Sequence, residues 1–356
     1  MLETKIRILI VDDSAFMRKS LSIILSSDPS IEIAGTARDG MEGVELAKRL
    51  RPDLITLDIE MPRMDGLAAL KIIMKECPAP VIMVSSLTTQ GAEATLKALE
   101  LGALDFISKE MSFVSVNISK IKEDLIYKVK TIARSSALRK RLQKPLTTVQ
   151  SPDIRARIKT GTIPKFGCRA VVLGVSTGGP LSLQKVIPVL SEQLRVPIFI
   201  VQHMPPKFTK SLAERLNSMS NVKVKEAEDM EDIEGGTVYI APGGFHLNAR
   251  SAGLGKNKIV ITPEPAATLH RPSVDVMVRS VIQLYGKFVL GVIMTGMGKD
   301  GMEGIKDLKE LGGYSVAQDE ESCVVYGMPK AIVDAGLADV IAPLEKIGEI
   351  INRSVL

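Results

Sequence analysis

Short apolar runs alternate with amphipathic stretches along the first third of the chain. The apolar runs lie at residues 6–11, 31–37, 54–57, 81–84 and 106–108. Helical stretches separate them, among them residues 15–24, for which Ser14 is a suitable N-cap, and residues 41–50. Strands that are joined through helices pair in parallel. The pattern therefore predicts an α/β domain in which helices cover a parallel sheet.

The same alternation returns in the second half of the chain. Apolar strands are predicted at residues 170–175, 197–202 and 288–295, and a helical pattern covers residues 181–190. We therefore expect a second α/β domain, again built on a doubly wound parallel sheet. A length of 356 residues suits two domains of ordinary size.

The segment 134–164 interrupts the alternation. It contains three prolines, a glycine and little apolar periodicity, which is typical of a linker. We predict a first domain at residues 1–125, a linker helix and basic tether at 126–166, and a second domain at 167–356. A helix is expected at residues 119–133.

Basic charge is concentrated in this same segment. It carries eight Lys or Arg and one Asp, a local charge of +7, whereas the whole chain has a net charge of +5. The rest of the chain is therefore near −2. Because the positive charge does not cover a folded face, it favours a solvated tether over a nucleic-acid interface.

The distribution of apolar residues and cysteines predicts a cytoplasmic protein. No stretch approaches the roughly 18 apolar residues of a membrane span, so we expect no membrane insertion. The first ten residues carry three charged side chains and lack the features of a secretion signal. Cys77, Cys168 and Cys323 are far apart in sequence and are expected to be reduced thiols.

Polar residues follow four of the predicted strands of the first domain. They are Asp12 and Asp13 after the first strand, Asp58, Ser85 and Lys109. The carboxyl ends of parallel strands form the ligand-binding edge of such sheets. Three carboxylates at one edge repel each other unless a cation lies among them, and Mg²⁺ is the simplest candidate.

With Mg²⁺, an ammonium group and a hydroxyl nearby, the pocket would suit a phosphoryl group, and Asp58 could accept it as an aspartyl-phosphate. The alternative is that the Asp12-Asp13 pair caps a helix and Asp58 opens a turn. Five polar residues at four strand ends favour a site.

The sequence around these residues resembles the receiver domain of bacterial response regulators over about residues 4–125. The motifs are ILIVDDS at 8–14, LDIEMPRMDG at 57–66, VSS at 84–86 and Lys109. The resemblance implies a flavodoxin-like fold and a histidine kinase as phosphodonor. One departure is Glu110 after Lys109, where the family usually has proline, so a cis-proline bond is not expected there.

The resemblance also implies a role for each motif residue. Asp58 is the implied phosphoacceptor. Mg²⁺ would be held by Asp13, Asp58 and the Glu60 carbonyl, with Asp12 close by. Ser85 would supply the hydroxyl that turns toward the phosphate, and Lys109 its positive charge.

In the second domain the first predicted strand ends in Gly174-Val175-Ser176-Thr177-Gly178, which fits the pattern G-x-S-x-G. This pattern places a serine on a sharp strand-to-helix turn beside backbone N–H groups. By itself it is a weak signal, because glycine-rich turns more often bind phosphate or allow close packing of strand and helix.

A nucleophilic serine needs a base and an orienting carboxylate. The chain has three histidines, His203, His246 and His270, all in this domain. His203 and Asp300 each follow an apolar strand, so they can converge with Ser176 at one sheet edge.

Each of these residues has a simpler interpretation. A histidine at a strand end is more often structural, and Asp300 alone could be an ordinary cap. Glycines around Asp300 allow close backbone approach, so the Met297 N–H could bind an oxyanion. The order serine, histidine, aspartate differs from that of α/β-hydrolases, so we expect a Rossmann-like sheet instead.

Five motifs of this domain are similar to the protein-glutamate methylesterases of bacterial chemotaxis, over about residues 168–350. They are GVSTGGP at 174–180, QHMP at 202–205, APGGFH at 241–246, HRPSVD at 270–275 and TGMGKDG at 295–301. The resemblance implies Ser176 as nucleophile, His203 as general base and Asp300 as its orienting group. The implied substrates are methylated glutamates of methyl-accepting chemoreceptors, with deamidation of receptor glutamines as a second activity.

Taken together, the two resemblances predict a serine esterase controlled by phosphorylation of Asp58. The chemotaxis histidine kinase would donate the phosphate, and a receiver–esterase interface within the chain would shift on phosphorylation. No cofactor is expected for the esterase. Two alternatives are a receiver with a DNA-binding output and a nucleotide-binding output domain. No basic helix-turn-helix follows residue 165, and neither G-x-G-x-x-G nor a P-loop lysine is present.

Overall fold

The computed structural model describes residues 5–109, 118–134, 163–253 and 255–356. The chain forms two compact units, residues 1–148 and 149–356. Glu110 and most of the predicted tether lie outside the described residues, and the predicted domain boundaries stay a prediction. Among the described residues, none of the helices is both long and apolar enough to cross a membrane.

The first unit is a five-stranded sheet with helices between its strands. Its strands are β1 (Ile6–Val11), β2 (Ile31–Ala37), β3 (Leu54–Asp58), β4 (Val81–Ser85) and β5 (Asp105–Ser108). Its helices are α1 (Ala15–Ser26), α2 (Gly40–Leu50), α3 (Gly66–Glu76), α4 (Thr89–Glu100) and α5 (Ile118–Arg134). The strand order is β2-β1-β3-β4-β5 and every pairing is parallel, which confirms the predicted flavodoxin-like fold.

Polar side chains cap the N-termini of helices in the first unit. Ser14 accepts a hydrogen bond from the Met17 N–H at 3.3 Å, as predicted for the start of α1. Thr88 does the same for α4, accepting from the Gly91 N–H at 2.9 Å. These caps satisfy N–H groups that have no partner inside a helix, and so they fix where each helix starts.

Helix α5 packs against α1, which confirms the helix predicted near residues 119–133. Val129 is fully buried, and the Lys130 Nζ lies 2.8 Å from the Asp28 Oδ2. The predicted boundary at residue 125 thus falls inside a helix that continues to Arg134.

The second unit contains a seven-stranded sheet and a separate hairpin. The strands are β6 (Ala170–Val175), β7 (Ile198–Gln202), β8 (Lys223–Glu226), β9 (Thr237–Ile240), β10 (His246–Gly253), β11 (Lys256–Thr262), β12 (Val289–Ile293), β13 (Tyr314–Gln318) and β14 (Val340–Ala342). The helices are α6 (Gly179–Val186), α7 (Phe208–Met219), α8 (Val274–Tyr285), α9 (Met302–Glu310), α10 (Met328–Asp334) and α11 (Leu344–Val355). A 3₁₀ turn at Ile187–Val189 follows α6.

The order of the large sheet is β14-β13-β12-β6-β7-β9-β8, and its pairings are all parallel, which confirms the predicted doubly wound architecture. The chain moves outward from β6 through β7 and then returns to the other side of β6 with β12. In open α/β sheets ligands bind beside such a reversal, which here lies at the carboxyl end of β6. The hairpin of β10 and β11 is antiparallel and was not predicted from the sequence.

The core of the second unit supports this central part of the sheet. All six residues of β6 are buried, as are the five of β7 and the five of β12. Strands covered on both faces read as continuous apolar runs, which is why the sequence pattern located them.

Candidate phosphoacceptor site and candidate active site

Three carboxylates lie together at the carboxyl edge of the first sheet. Asp12 and Asp58 are buried and Asp13 is exposed, and one oxygen from each lies within 4.8 Å of the others. Burial raises the pKa of Asp12. It also raises the pKa of Asp58 to about 6, although the hydrogen bond from Lys109 acts in the opposite direction. The cluster is therefore electrostatically costly without a cation.

The surroundings of Asp58 fit the predicted phosphoacceptor pocket. The Lys109 Nζ lies 2.7 Å from the Asp58 Oδ2 and 3.9 Å from the Asp12 Oδ2. The Glu60 N–H donates to the Asp58 Oδ1 at 3.3 Å. A Cβ on Gly66 would lie 2.0 Å from the Asp58 carbonyl oxygen, so only glycine allows α3 to start this close to the site.

The carboxylate cluster also fits a hard divalent cation. The Asp12 Oδ2 is buried and has no hydrogen-bond partner among the described residues. A buried oxygen of this kind, beside two further carboxylates, matches the oxygen ligands that Mg²⁺ prefers. Asp12, Asp13 and Asp58 are the side chains that could hold the ion.

Ser85, at the end of β4, is held against α4. The Thr95 Oγ1 lies 2.8 Å from the Ser85 Oγ, and the Ser85 Oγ lies 3.2 Å from the Gly91 carbonyl oxygen. Both hydroxyl groups are buried. Sequence reasoning identified Ser85 but missed Thr95, which is on α4 and ten residues away.

Ser176 and His203 lie next to each other at the carboxyl edge of the second sheet. The register pairs Val175 of β6 with Gln202 of β7, so the residues that follow them occupy adjacent positions. The His203 N–H donates to the Val175 carbonyl at 3.2 Å, and the Ser176 N–H donates to the Thr295 carbonyl at 3.0 Å. Backbone hydrogen bonds thus fix Ser176 between β7 and the loop after β12.

His203 and Asp300 form a direct pair. The His203 Nε2 lies 2.8 Å from the Asp300 Oδ2, and each side chain is only 9% exposed. The Asp300 carboxylate also accepts hydrogen bonds from the Ser273 hydroxyl at 2.9 Å, the Val274 N–H at 2.8 Å and the Asp275 N–H at 3.1 Å.

Burial by itself would raise the pKa of Asp300, but the His203 hydrogen bond and the two N–H groups hold that pKa well below its usual range. Asp300 is therefore a carboxylate at neutral pH and accepts the Nε2 proton, because a carboxylate has no proton to donate. In the neutral imidazole the acceptor is then Nδ1, and the His203 Nδ1 is buried without a hydrogen-bond partner among the described residues. His203 thus has a free nitrogen that can take up a proton.

A second carboxyl group lies behind Asp300. The Asp275 Oδ1 accepts from the Gly304 N–H at 2.7 Å, which ties the start of α8 to α9. Burial, together with the nearby charge of Asp300, raises the pKa of Asp275 to about 6. This contact helps to hold the α9 end of the loop that carries Asp300.

Gln202 links the backbones of the serine and the histidine. Its Nε2 lies 3.1 Å from the Ser176 carbonyl oxygen and 3.3 Å from the His203 carbonyl oxygen. The side chain is buried, and a Cβ on Gly179 would lie 1.9 Å from its Oε1. Sequence reasoning missed Gln202, although it stands directly before His203.

The other two histidines differ in their surroundings. The ring of His270 stacks on the ring of His203, with centroids 4.2 Å apart and planes 21° from parallel. His246 is buried, and burial lowers its pKa. Its Nδ1 accepts from the Ser273 N–H at 3.2 Å, so it supports the residue that in turn donates to Asp300.

The loop after β12 passes directly beside Ser176. A Cβ on Gly296 would lie 2.9 Å from the Ser176 Cβ, so this position requires glycine. The Thr295 Oγ1 donates to the Thr177 carbonyl at 2.9 Å and accepts from the Val324 and Val325 N–H groups at 3.1 Å each. In the described part of the chain the Met297 N–H has no hydrogen-bond acceptor, so it is free for a ligand.

Comparisons with known proteins agree with this architecture. A family model described as CheB methylesterase matches residues 171–351, and one described as response regulator receiver domain matches residues 8–118. The chain belongs to the CheB methylesterase family. Because the second unit matches a methylesterase, the family membership favours a methylesterase output over a DNA-binding or a nucleotide-binding one.

Relatives match this chain along nearly its whole length. A protein-glutamate methylesterase/protein-glutamine glutaminase of Pyrococcus abyssi is 47% identical and covers 99% of this chain and 94% of its own length. A second one, from Nitratidesulfovibrio vulgaris, is 49% identical over 98% of this chain and 99% of its own. The crystal structure of the Thermotoga maritima CheB methylesterase catalytic domain is similar to the second unit, with 46% identity, a TM-score of 0.51 and coverage of 52% of this chain and 98% of that one.

Proposed function

We propose that this chain is a serine hydrolase that removes methyl groups from glutamate esters of methyl-accepting chemoreceptors, and that phosphorylation of Asp58 activates it. The observation that carries the proposal is the arrangement of His203, which pairs through Nε2 with Asp300 and whose buried Nδ1 has no hydrogen-bond partner among the described residues. Its backbone lies next to that of Ser176, because the His203 N–H donates to the carbonyl of Val175. Protein names in the CheB methylesterase family support the same substrate class.

In the proposed mechanism, the His203 Nδ1 takes the Ser176 hydroxyl proton as the Ser176 Oγ attacks the ester carbonyl. Asp300 keeps the Nε2 proton in place and stabilises the imidazolium that forms. The Met297 N–H donates to the oxyanion of the tetrahedral intermediate. His203 then protonates the leaving methoxide, and methanol departs.

Water completes the reaction. His203 removes a proton from the water that attacks the acyl-serine, and the Ser176 Oγ leaves with that proton, which frees the glutamate carboxylate. A glutamine side chain would follow the same route with ammonia as the leaving group. The names of the relatives support this second activity, because they include protein-glutamine glutaminase.

In the receiver half, the Asp58 carboxylate attacks the phosphorus of a phosphohistidine on a chemotaxis histidine kinase. The new O–P bond forms as the P–N bond breaks, and the kinase histidine leaves as the free imidazole. Asp12, Asp13 and Asp58 would hold Mg²⁺, with the Glu60 carbonyl as a further ligand, and the ion would offset the negative charge that gathers there. The Lys109 ammonium lies 2.7 Å from Asp58 and adds positive charge next to the phosphate. The Ser85 hydroxyl would exchange its bonds on α4 for a bond to the phosphate.

Release of methanol from methylated receptor membranes tests both the esterase activity and its activation by phosphorylation of Asp58. We expect wild-type protein to release methanol faster with Mg²⁺ and a small phosphodonor than without them. Asp58→Asn should keep the basal rate and lose the increase. Ser176→Ala should release no methanol under either condition. An Asp58→Asn protein that still responds to the phosphodonor would contradict the regulatory part alone.

A further inference from the structure

Two large apolar side chains are exposed beside the candidate active site. Phe245 is 44% exposed and Leu269 is 65% exposed. They stand on separate loops that hydrogen bonds hold together. The His246 Nε2 lies 3.1 Å from the Thr268 Oγ1, and the Gly244 N–H donates to the Arg271 carbonyl at 3.2 Å. The backbone segments that carry Phe245 and Leu269 therefore lie close together.

These segments border the reactive imidazole. His270, which follows Leu269 directly, stacks on His203 at 4.2 Å between centroids. The loop that carries Leu269 thus reaches the ring that acts as base in the proposed function. Single exposed apolar residues are normal on protein surfaces and need no explanation. Two of them on adjoining loops next to the proposed base are more typical of a binding surface.

Two cations flank the apolar pair. Arg271 and Lys207 are exposed, and neither pairs with a carboxylate in the described parts of the chain. Lys207 adjoins the Phe245 loop, because a Cβ on Gly244 would lie 3.3 Å from the Pro206 Cγ. Residues 203–207, 241–246 and 263–273 contain a single acidic residue, Glu264. These three segments therefore combine two exposed apolar side chains with more positive than negative charge.

We propose that Lys207, Phe245, Leu269 and Arg271 form a docking rim for the protein that bears the glutamate ester. The partner fitted by this rim is the surface of the ester-bearing protein, with apolar residues and carboxylates next to the ester. The inference rests on the proposed function and deepens it, since it assigns recognition of the protein substrate to residues that take no part in bond breaking. Apolar contact supplies affinity, and the cations match the negative charge of neighbouring glutamates.

Comparison of a large and a small substrate tests the rim. Phe245→Ser with Leu269→Ser should lower kcat/KM for receptor demethylation by roughly tenfold or more. Hydrolysis of p-nitrophenyl acetate, which is too small to cover the rim, should change by less than about twofold. Lys207→Gln with Arg271→Gln should lower the receptor rate and weaken its dependence on salt.

Leu311→Ser is the matched control, because Leu311 is 49% exposed and lies at the end of α9. We expect it to leave both rates unchanged. Equal losses of kcat/KM for the receptor and for the small ester would contradict the docking rim, because the substitutions would then act on the catalytic residues. Unchanged receptor demethylation would overturn it too. Wild-type protein that hydrolyses neither substrate would instead overturn the proposed function, and the rim with it.

Discussion

The ring of His270 covers one face of the His203 ring, with 4.2 Å between their centroids. Stacking of this kind holds the base in its orientation toward Asp300 and excludes water from that face. Aromatic pairs of this type contribute about 0.5–1.5 kcal/mol. The contact therefore makes His270 a positioning residue for the proposed base.

We expect His270→Ala to lower kcat on a small ester by about tenfold, while KM changes little, because His203 loses its support. His270→Phe should recover most of the rate, since it retains a flat ring. Steady-state kinetics on p-nitrophenyl acetate measures kcat and KM for both variants. Failure of phenylalanine to restore any activity would mean that a polar or titrating group is needed at position 270.

Asp300 fixes the tautomer of His203. Asp300→Asn keeps the size of the side chain, but an amide can donate to Nε2 and thereby leave the proton on Nδ1, where a base is needed. We expect kcat to fall by about 10³-fold or more, as expected when a base is held in the wrong tautomer. Ester hydrolysis and circular dichroism, measured together, separate this effect from unfolding. An Asp300→Asn protein with near-normal kcat would remove Asp300 from the mechanism.

Mg²⁺ binding at the receiver should depend on pH. The pKa of Asp58 is raised to about 6 by burial, and the pKa of Asp12 is raised as well. Protons therefore compete with the ion below about pH 6. We expect isothermal titration calorimetry on the full chain to show markedly tighter Mg²⁺ binding at pH 8 than at pH 5. Asp58→Asn should weaken binding at pH 8, and equal affinity of the wild type at both pH values would contradict the assignment.

The raised pKa of Asp58 also affects stability in the absence of Mg²⁺. A carboxyl whose pKa is higher in the folded state favours the fold below its unfolded pKa of 3.8, and this contribution is lost as the pH rises through about 6. We expect Asp58→Asn to stabilise the receiver unit by about 1 kcal/mol or more at pH 7.5 and much less at pH 4. Calorimetric unfolding at both pH values measures the difference. A loss of stability at pH 7.5 would show that the Lys109 contact outweighs burial.

Thr95 should influence how easily the receiver is activated. Its hydroxyl holds the Ser85 Oγ at 2.8 Å against α4, and Ser85 has to leave this contact to reach a phosphate at Asp58. Thr95→Val keeps the shape and removes the hydrogen bond, which contributes about 1 kcal/mol. We expect half-maximal activation at a severalfold lower phosphodonor concentration. Thr88→Val is the control, because it removes the cap of α4 and a contact with the Ser86 hydroxyl but leaves the hydrogen bond between Thr95 and Ser85. A higher phosphodonor requirement in Thr95→Val would contradict the idea.

The sequence predicted the sheets well because buried parallel strands are continuous apolar runs. It also indicated that Ser176, His203 and Asp300 can converge, since all three follow strands whose carboxyl ends form one edge. Of these three side chains, His203 and Asp300 are in direct contact in the structure. The hairpin of β10 and β11 was missed because it belongs to neither parallel sheet. Its signal was the alternation around Asn248 and the glycines near residue 254.

The partners of the site residues were harder to predict. Gln202 and Thr95 act through side chains whose directions depend on the register of neighbouring elements, which a strand pattern does not specify. The stacking of His270 on His203 joins residues 67 positions apart through a loop without regular structure. For such contacts the sequence supplied only the residue types.

The central claim is that Ser176 is a nucleophile activated by His203. Labelling of the full-length protein with a fluorophosphonate, followed by mass spectrometry of its peptides, tests this claim most directly. We predict one covalent adduct on Ser176, formed much more slowly in His203→Gln and absent in Ser176→Ala. Folded wild-type protein that hydrolyses receptor esters without any adduct on Ser176, or that labels equally fast without His203, would contradict it.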